Sequence, residues 1–412
     1  MNTNDDFDIS DLSLEAPQNV ADVDDDSDDS TDSTSSGRSL KKFYSRGHGG
    51  RSLTGGEEKE LDGKTRIIRK LAIKTIKNED VGTIDCVEFD KQPTFVDPLS
   101  NNNSIQATHI SHSNDGRIPV HTMSKIALES AACPSGTVPI RRTTAENSFR
   151  LKSSTESGSG QITIANPLNS AGPPGVHYAA LVSDKGSYRG ANAVLEVHAI
   201  SGVGLDQYSG TIIMMFSGFG GPPENFNVIS AGWLVHPKLY GDNLPRLTIF
   251  WTTDGYQHTN CFNLQCPGFV QKSSNYSPGM SLGEGLFPLF IFKDKQTGDW
   301  CLSTSDGKTE ELIGWWPSSI FTSLAEEAEF IEWGGTVMSA LDQKSPPMGN
   351  GRFPLYGARV SLISTLDENN NAQDPKGRLV ADRSECYNAA WFGNRPAYGW
   401  SFYYGGPGGC LG

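Results

Sequence analysis

The chain has 412 residues and a formal net charge of −14, and the charge is distributed unevenly. Residues 1–37 contain 11 Asp and one Glu with no Lys or Arg, so the rest of the chain is nearly neutral. The absence of a basic excess argues against nucleic acid as the main partner. No apolar stretch approaches the ~20 residues of a membrane span, so we expect no membrane partner either.

Residues 1–62 are predicted to form a disordered acidic tail and linker. The stretch Asp22–Asp32 is acidic and Ser-rich, with few large apolar side chains, so burial cannot offset its ordering entropy. The basic stretch Arg38–Arg51 that follows indicates either a solvated linker or a processing site.

Residues 63–152 predict a small α+β unit. Within Lys64–Lys77, apolar residues recur at three- and four-residue spacing, which is typical of an amphipathic helix. Val81–Phe95 is predicted to be extended. The polar stretch Ser153–Gly160 predicts a linker to the next domain.

Residues 161–412 predict an all-β domain, an antiparallel β-sandwich of two packed sheets. Apolar or alternating runs separated by turn residues predict the strands: Ala193–Ile200, Thr211–Phe216, Arg246–Thr252 and Leu286–Phe292. Asp254-Gly255 predicts a hairpin, and Ser319–Glu329 predicts one helix. Adjacent strand residues point to opposite faces, so we expect at most one of Trp315 and Trp316 in the core.

The seven cysteines allow three pairs and one odd thiol. Spacing favours the disulfides Cys261–Cys266, Cys386–Cys410 and Cys86–Cys133, with Cys301 left over. Seven free thiols in a reducing compartment are the alternative. No Cys-x-x-Cys or His-Glu-x-x-His spacing is present, so we expect neither a metal nor another cofactor.

Glu332 is the leading candidate for a functional acid. It lies in Ile331–Gly335 between bulky apolar residues, where an ionised carboxylate is costly and the pKa is expected to rise. The alternative is that Glu332 points outward to solvent from an edge strand.

Seven motifs follow one another between residues 232 and 408. They are GWLVHPKLYGD (232–242), CFNLQCPGFV (261–270), KDKQTGDW (293–300), GWWPSSIF (314–321), EWGG (332–335), MGNGRFP (348–354) and FYYGGPG (402–408). Together they resemble the neprosin family. Four upstream stretches are similar to the activation segment of that family: KTIK (74–77), IDCV (84–87), Gln92-Pro93 and CPSGTVPIRR (133–142).

The resemblance implies a secreted glutamic-type endopeptidase that cleaves after proline at acidic pH and is made as a zymogen. Residues 63–152 would be the activation segment, and residues 161–412 the β-sandwich peptidase domain. The implied partner is a peptide or protein substrate, Pro-rich in some cases, and we expect a monomer. Met1–Val20 has no classical secretion signal, so the expectation of secretion rests on the family and the cysteines.

The family is thought to use two glutamates as a pair that shares a proton at low pH. Glu332 matches the second of them, but Ser230 stands where the first is expected. A serine has no acid–base equilibrium near pH 4, so the coupling that separates the two pKa values would be lost. Glu224 is a candidate substitute if its loop folds into the cleft.

Two main functions therefore remain open from the sequence. One is an active or weakly active acid endopeptidase with Glu332 as one catalytic group, and the other is an inactive relative that binds Pro-rich peptides or extended polymers. For either, we expect an aromatic substrate-binding floor formed by Trp233, Trp316, Trp333 and Tyr404. An unrelated hydrolase or a purely structural sandwich are further alternatives, but no Gly-x-Ser-x-Gly elbow surrounds Ser230 to indicate a Ser-His-Asp hydrolase.

Overall fold

Strands dominate the residues that the computed structural model describes, which are 70–78, 82–96, 133–142 and 174–411. In chain order the strands are β1 (Ala72–Asn78), β2 (Gly82–Glu88), β3 (Thr137–Arg141), β4 (Val176–Ser183), β5 (Gly190–Val197), β6 (Tyr208–Ser217), β7 (Asn227–Val235), β8 (Arg246–Thr252), β9 (Cys261–Phe262), β10 (Val270–Gln271), β11 (Gly285–Lys293), β12 (Trp300–Ser305), β13 (Glu310–Trp316), β14 (Phe330–Met338), β15 (Ala358–Leu366), β16 (Ala372–Gln373), β17 (Gly377–Ala381), β18 (Asn388–Arg395) and β19 (Gly399–Gly405). The helical pieces are short: α1 (Pro93–Val96), α2 (Pro237–Tyr240) and single 3₁₀ turns at Phe89–Lys91, Pro223–Asn225, Ser318–Ile320 and Ser323–Ala325.

Two antiparallel sheets pack face to face, which confirms the predicted β-sandwich. One has seven strands in the order β17-β4-β14-β6-β7-β8-β9. The other has the order β10-β13-β12-β11-β5-β15-β19-β18, with β16 paired to β15 at its side. A third, smaller sheet has the order β1-β2-β3. The predicted tail, residues 1–62, and the predicted linker, Ser153–Gly160, lie outside the described residues.

The main core lies between the two large sheets, because alternate residues of each strand point inward. Its largest side chains are aromatic and fully buried, among them Trp233, Trp251, Trp300, Trp316, Trp333 and Tyr404. The seven-stranded sheet also buries apolar residues on its other face, hereafter the outer face, around Met214, Phe250 and Phe330. That second face carries the candidate site described below.

The strand predictions agree with the structure, and Arg246–Thr252 coincides with β8. The helix predicted within Lys64–Lys77 is wrong for residues 72–77, because Ala72–Asn78 forms strand β1, whereas Lys70 and Leu71 are helical. Pairing with β2 satisfies its backbone, and the β-branched Ile73, Thr75 and Ile76 suit a strand better than a helix.

The helix predicted for Ser319–Glu329 is also wrong, since only two 3₁₀ turns form there. The side-chain oxygen of Asn227 accepts hydrogen bonds from the backbone N–H groups of Thr322 and Leu324, at 2.9 and 3.0 Å. Because these two N–H groups bond to Asn227, they do not form the hydrogen bonds of a helix. The segment instead packs over one end of β7.

The three-stranded unit is fastened to the edge strand β10 by a pair of glutamines. The Gln92 side chain donates to the Gln271 carbonyl at 2.8 Å and accepts from the Gln271 N–H at 2.9 Å, so it acts as one residue of an added strand. The Gln271 side chain in turn donates to the Pro139 carbonyl at 2.8 Å. These buried bonds make the small unit continuous with the large sheet.

The same unit covers Trp315, whose ring lies 6.2 Å from that of Phe89 in a cluster with Val270 and Phe95. Trp315 and Trp316 do point to opposite faces, yet both are buried. The expectation that only one of them is core is therefore wrong, because a second layer packs on the face that was expected to be open.

All three predicted disulfides are confirmed: Cys86–Cys133, Cys261–Cys266 and Cys386–Cys410. Cys301 is a free, buried thiol, as its odd position predicted. Burial raises the pKa of the Cys301 thiol, which keeps it protonated and unreactive.

Truncation of Trp316 should cost stability rather than ligand affinity. Its ring packs 4.7 Å from Phe269 and 6.4 Å from Trp251 within the core. Trp316→Ala should lower the free energy of unfolding by about 3 to 5 kcal/mol, measured by urea denaturation. The exposed Tyr356 is the control, and Tyr356→Ala should change the free energy of unfolding by less than about 0.5 kcal/mol. Equal stability of Trp316→Ala and wild type would contradict the core assignment.

Candidate active site

One cross-strand row on the seven-stranded sheet brings Glu332 and Ser230 onto the same face. The paired residues run Arg378, Val182, Glu332, Met214, Ser230, Phe250, Phe262. Residues directly opposite one another in antiparallel strands share a face, so this row crosses the outer face from β17 to β9. Glu332 is 3% exposed and lies on a central strand, which excludes the alternative of an outward-pointing edge residue.

Ser230 lies two strands from Glu332, with Met214 between them. At about 4.8 Å per strand, their backbones are roughly 10 Å apart. Two glutamate side chains could converge across that gap, whereas a serine hydroxyl stays close to its own strand. The positions directly beside Glu332 in the described sheet hold Val182 and Met214, and neither is a carboxylate.

Glu224 does not occupy the row in place of the missing carboxylate. It is exposed in the 3₁₀ turn Pro223–Asn225, which links β6 to β7 beyond the end of both strands. Its backbone carbonyl accepts a hydrogen bond from the Thr322 hydroxyl at 3.3 Å, so the turn is tied to the 3₁₀ segment rather than folded over the row.

The next row along the outer face contains two glycines and an alanine. It reads Ala180, Gly334, Ile212, Gly232, Thr248, which places a glycine two residues from both Glu332 and Ser230. Gly334 has φ +155°, and a Cβ there would lie 2.5 Å from the Ala179 carbonyl oxygen. Both glycines are buried, so the backbones of neighbouring strands pack closely beside the carboxyl.

The charge of Glu332 affects the pKa of three tyrosines on the outer face. Burial is the main cause that raises the pKa of Tyr178, Tyr208 and Tyr256 above the usual range, and the Glu332 charge adds to it in each. The neighbouring Thr336 hydroxyl opposes the rise in pKa at Tyr208. Within the described part of the chain, the Tyr178 and Tyr256 hydroxyls have no hydrogen-bond partner. With their pKa values raised, they are neutral and available as donors.

None of these three tyrosines was predicted from the sequence as a site residue. Tyr178 and Tyr208 could have been placed by extending strand alternation from Glu332 through its paired strands, but that pairing is not readable from the sequence. Tyr256 carries a local signal, because it directly follows the hairpin residues Asp254-Gly255.

The histidines near Ser230 in sequence do not join it. His236 lies six residues further along β7 and its turn, about 20 Å away at the rise of an extended strand. Its ring packs 5.5 Å from Tyr208 and 6.1 Å from Phe262. His258 lies exposed in the β8–β9 loop. No Ser-His-Asp arrangement around Ser230 follows from these positions.

The predicted aromatic floor requires correction. Trp233, Trp316, Trp333 and Tyr404 belong to the core between the sheets. In β7 and β14 this is the face opposite to Ser230 and Glu332, since adjacent strand residues alternate. All four are fully buried and offer no surface to a substrate. Their role is to hold the strands that carry the row.

The described residues contain no group of three or more His, Cys, Asp or Glu side chains arranged to hold a metal ion. None of the helices within those same ranges is long and apolar enough to cross a membrane.

Two family models match the chain. The model described as Neprosin matches residues 205–407, and that described as Neprosin activation peptide matches residues 75–181. The second match ends within β4, so it includes most of a strand of the seven-stranded sheet.

Solved structures give weaker similarities. Scytalido-glutamic peptidase with a peptide-based transition state analog is 11% identical, with 57% of this chain and 99% of that chain covered and a TM-score of 0.32. SCP-B, a member of the Eqolisin family of peptidases in complex with the tripeptide Ala-Ile-His, is 8% identical over the same shares, also with a TM-score of 0.32. A native glycosidic hydrolase is 10% identical, with 41% of this chain and 80% of that chain covered and a TM-score of 0.19. Similarities this low say nothing about function.

His236 should make the fold less stable in acid. Burial lowers the pKa of His236 from 6.5 to about 3; Lys238 lowers it further and Asp206 opposes this. Between these two values the unfolded chain binds a proton that the folded chain does not. Stability from this group is therefore lost as pH falls from 6.5 towards 3, by at most about 1.4 kcal/mol per pH unit.

The measurement is the urea unfolding free energy of wild type and His236→Gln between pH 7 and 3.5. The variant should show a shallower decline, whereas a substitution of the exposed His258, His258→Gln, should leave the decline unchanged. Parallel curves for wild type and His236→Gln would contradict a buried neutral His236.

Proposed function

The chain belongs to the neprosin family, since the two family models together span residues 75–407, and we propose that it is a zymogen whose peptidase domain hydrolyses peptide bonds after proline with impaired turnover. Its large domain is of the glutamic-peptidase type. The proposed substrate is a peptide or protein, including Pro-rich ones, bound in extended form along the outer face.

The observation that supports this most is the shared row of Glu332 and Ser230. Glu332 lies on an interior strand of the seven-stranded sheet, in the same cross-strand row as Ser230. A carboxylate there can remove a proton from a water molecule as the water attacks the peptide carbonyl. It can then return that proton to the departing amine.

The impairment follows from Ser230. In a pair of carboxyls, one holds a proton while the other acts as base, and the protonated group assists the carbonyl oxygen. Serine cannot fill that role by proton sharing. General acid–base groups contribute typically about 10² to 10⁴-fold each, so turnover should be lower than that of a complete pair by a factor in this range.

The substitution at Ser230 also favours a second candidate, an inactive member of the family that binds Pro-rich peptides or extended polymers. Aromatic surfaces suit proline-rich ligands. Because Trp233, Trp316 and Trp333 are in the core and Phe250 is equally buried, such a ligand would contact the partly exposed aromatics of the outer face, Phe219, Phe226 and Tyr256.

The compartment we propose is extracellular. Three disulfides are consistent with an oxidising environment, and the family match agrees with this.

The two candidates differ in turnover. We would measure hydrolysis of a proline-containing fluorogenic peptide between pH 2.5 and 7. The full chain would be used after limited proteolysis with a protease that is then removed. Wild type should be slow, Glu332→Gln should lose at least about 10²-fold, and Ser230→Glu should gain about 10² to 10⁴-fold because the pair is restored.

The exposed Glu368 supplies the matched control, since Glu368→Gln also replaces a carboxylate with an amide and should leave the rate unchanged. Rapid wild-type turnover that survives Glu332→Gln would contradict the assignment of Glu332. No turnover in either wild type or Ser230→Glu, together with peptide binding, would favour the inactive candidate.

A further inference from the structure

We propose that the Tyr256 hydroxyl takes the place of the missing second carboxyl and donates a hydrogen bond to the carbonyl oxygen of the substrate as the tetrahedral intermediate forms. This inference rests on the proposed peptidase function. It adds a catalytic residue that lies outside the family's pair of glutamates.

The position of the Tyr256 ring supports this. The ring stacks on Phe250 with centroids 5.9 Å apart and an angle of 21°, and it meets Phe226 edge-on at 6.0 Å. Phe250 is the direct cross-strand partner of Ser230. Tyr256 therefore lies against the row at Phe250, the residue next to Ser230 and one strand further from Glu332.

The loop that carries Tyr256 is built to hold it there. Gly255 and Tyr256 have φ +62° and +69°, and left-handed backbone in a tyrosine costs roughly 1 to 2 kcal/mol. A Cβ at Gly255 would lie 2.5 Å from the Pro223 carbonyl oxygen, so the loop packs directly on the neighbouring turn. The Gly255 N–H also donates to the Phe226 carbonyl at 2.8 Å.

Asp254 fixes the other half of the loop. Its carboxylate accepts hydrogen bonds from the N–H groups of His258 and Thr259 and from the Thr259 hydroxyl, the last at 2.6 Å. The Tyr256 N–H donates to the Thr252 hydroxyl at 3.0 Å. Strain offset by this many local bonds indicates a side chain whose placement matters.

The other two outer-face tyrosines are less well placed. Tyr178 stands on β4 in the row of Thr336, on the side of Glu332 away from Ser230. Tyr208 lies at the far end of β6, in the row of Met338 and six residues from Met214. Of the three, only Tyr256 approaches the row from the side of Ser230.

The reaction balances with these groups alone. The Glu332 carboxylate takes a proton from water, and the water oxygen bonds to the carbonyl carbon. The carbonyl π electrons move to oxygen, where the Tyr256 O–H donates a hydrogen bond without transferring its proton. The Glu332 acid then protonates the nitrogen, the C–N bond breaks, and a carboxylic acid and an amine leave.

A tyrosine donor changes the pH dependence. Burial, with additions from Tyr208 and Glu332, raises the pKa of Tyr256, so its hydroxyl stays protonated from acid to neutral pH. A carboxylic acid in position 230 would lose its proton in that interval. Wild-type kcat should therefore stay level between pH 5 and 8, whereas that of Ser230→Glu should fall.

The test is Tyr256→Phe in wild type and in Ser230→Glu, assayed with the same peptide on the full chain after limited proteolysis. The hydroxyl has no partner among the described residues, so the variant should melt within about 2 °C of the parent. In wild type kcat should fall by about 10² to 10³-fold with little change in KM. In Ser230→Glu the loss should be less than about 3-fold, because the new carboxyl supplies the donor.

Three outcomes would overturn the inference. They are wild-type turnover unchanged by Tyr256→Phe, a loss caused by Tyr208→Phe instead, and a silent wild type beside an active Ser230→Glu. The first two leave the proposed peptidase function standing, whereas a silent wild type beside an active Ser230→Glu would favour the inactive candidate. Silence of both wild type and Ser230→Glu removes the proposed function itself, and the inference with it.

Discussion

The register of the seven-stranded sheet is the constraint on which the site depends. Side chains alternate between faces along each strand, so a slip of one residue between β14, β6 and β7 would turn Glu332 or Ser230 into the core. The register is fixed from the inner face, where Trp233 and Trp333 fill the space between the sheets. The same tryptophans that cannot touch a substrate therefore determine which residues can.

The outer face combines two properties that rarely coexist. It is apolar enough to bury Phe216, Phe250 and Phe330, yet it holds Glu332 and several tyrosine hydroxyls. In such surroundings an electrostatic interaction is stronger than in water, and an unsatisfied donor is costly. The described residues supply no hydrogen-bond partner to the Tyr178 and Tyr256 hydroxyls, and a buried polar group without a partner calls for an explanation such as a catalytic role.

The fold class and the three disulfides could be predicted from the sequence, because they depend on strand alternation and cysteine spacing. Prediction failed where a distant segment decided the outcome. The helix predicted at Ser319–Glu329 does not form, because the amide oxygen of Asn227 accepts hydrogen bonds from two of its backbone N–H groups.

The aromatic residues show the same limit. Alternation correctly separates Trp315 from Trp316, but it cannot say that the small sheet covers Trp315. Alternation also does not show which face of β7 points into the core. Trp233 was therefore wrongly predicted to contact the substrate. The position of Tyr256 near Ser230 could not be predicted, because it depends on the pairing of β8 with β7.

The proposed replacement of a carboxyl by the Tyr256 hydroxyl changes the pH range in which this chain is expected to work. A pair of glutamates requires acid, because one member must keep its proton, whereas a tyrosine keeps its proton throughout. His236, neutral and buried on the same face, opposes acid independently, since protons bind the unfolded chain in preference. One feature acts on catalysis and the other on stability, yet both favour a milder pH than the family's pair of carboxyls. The proposed Tyr256 donor and the buried neutral His236 therefore favour the same, milder range of pH, one through catalysis and the other through stability.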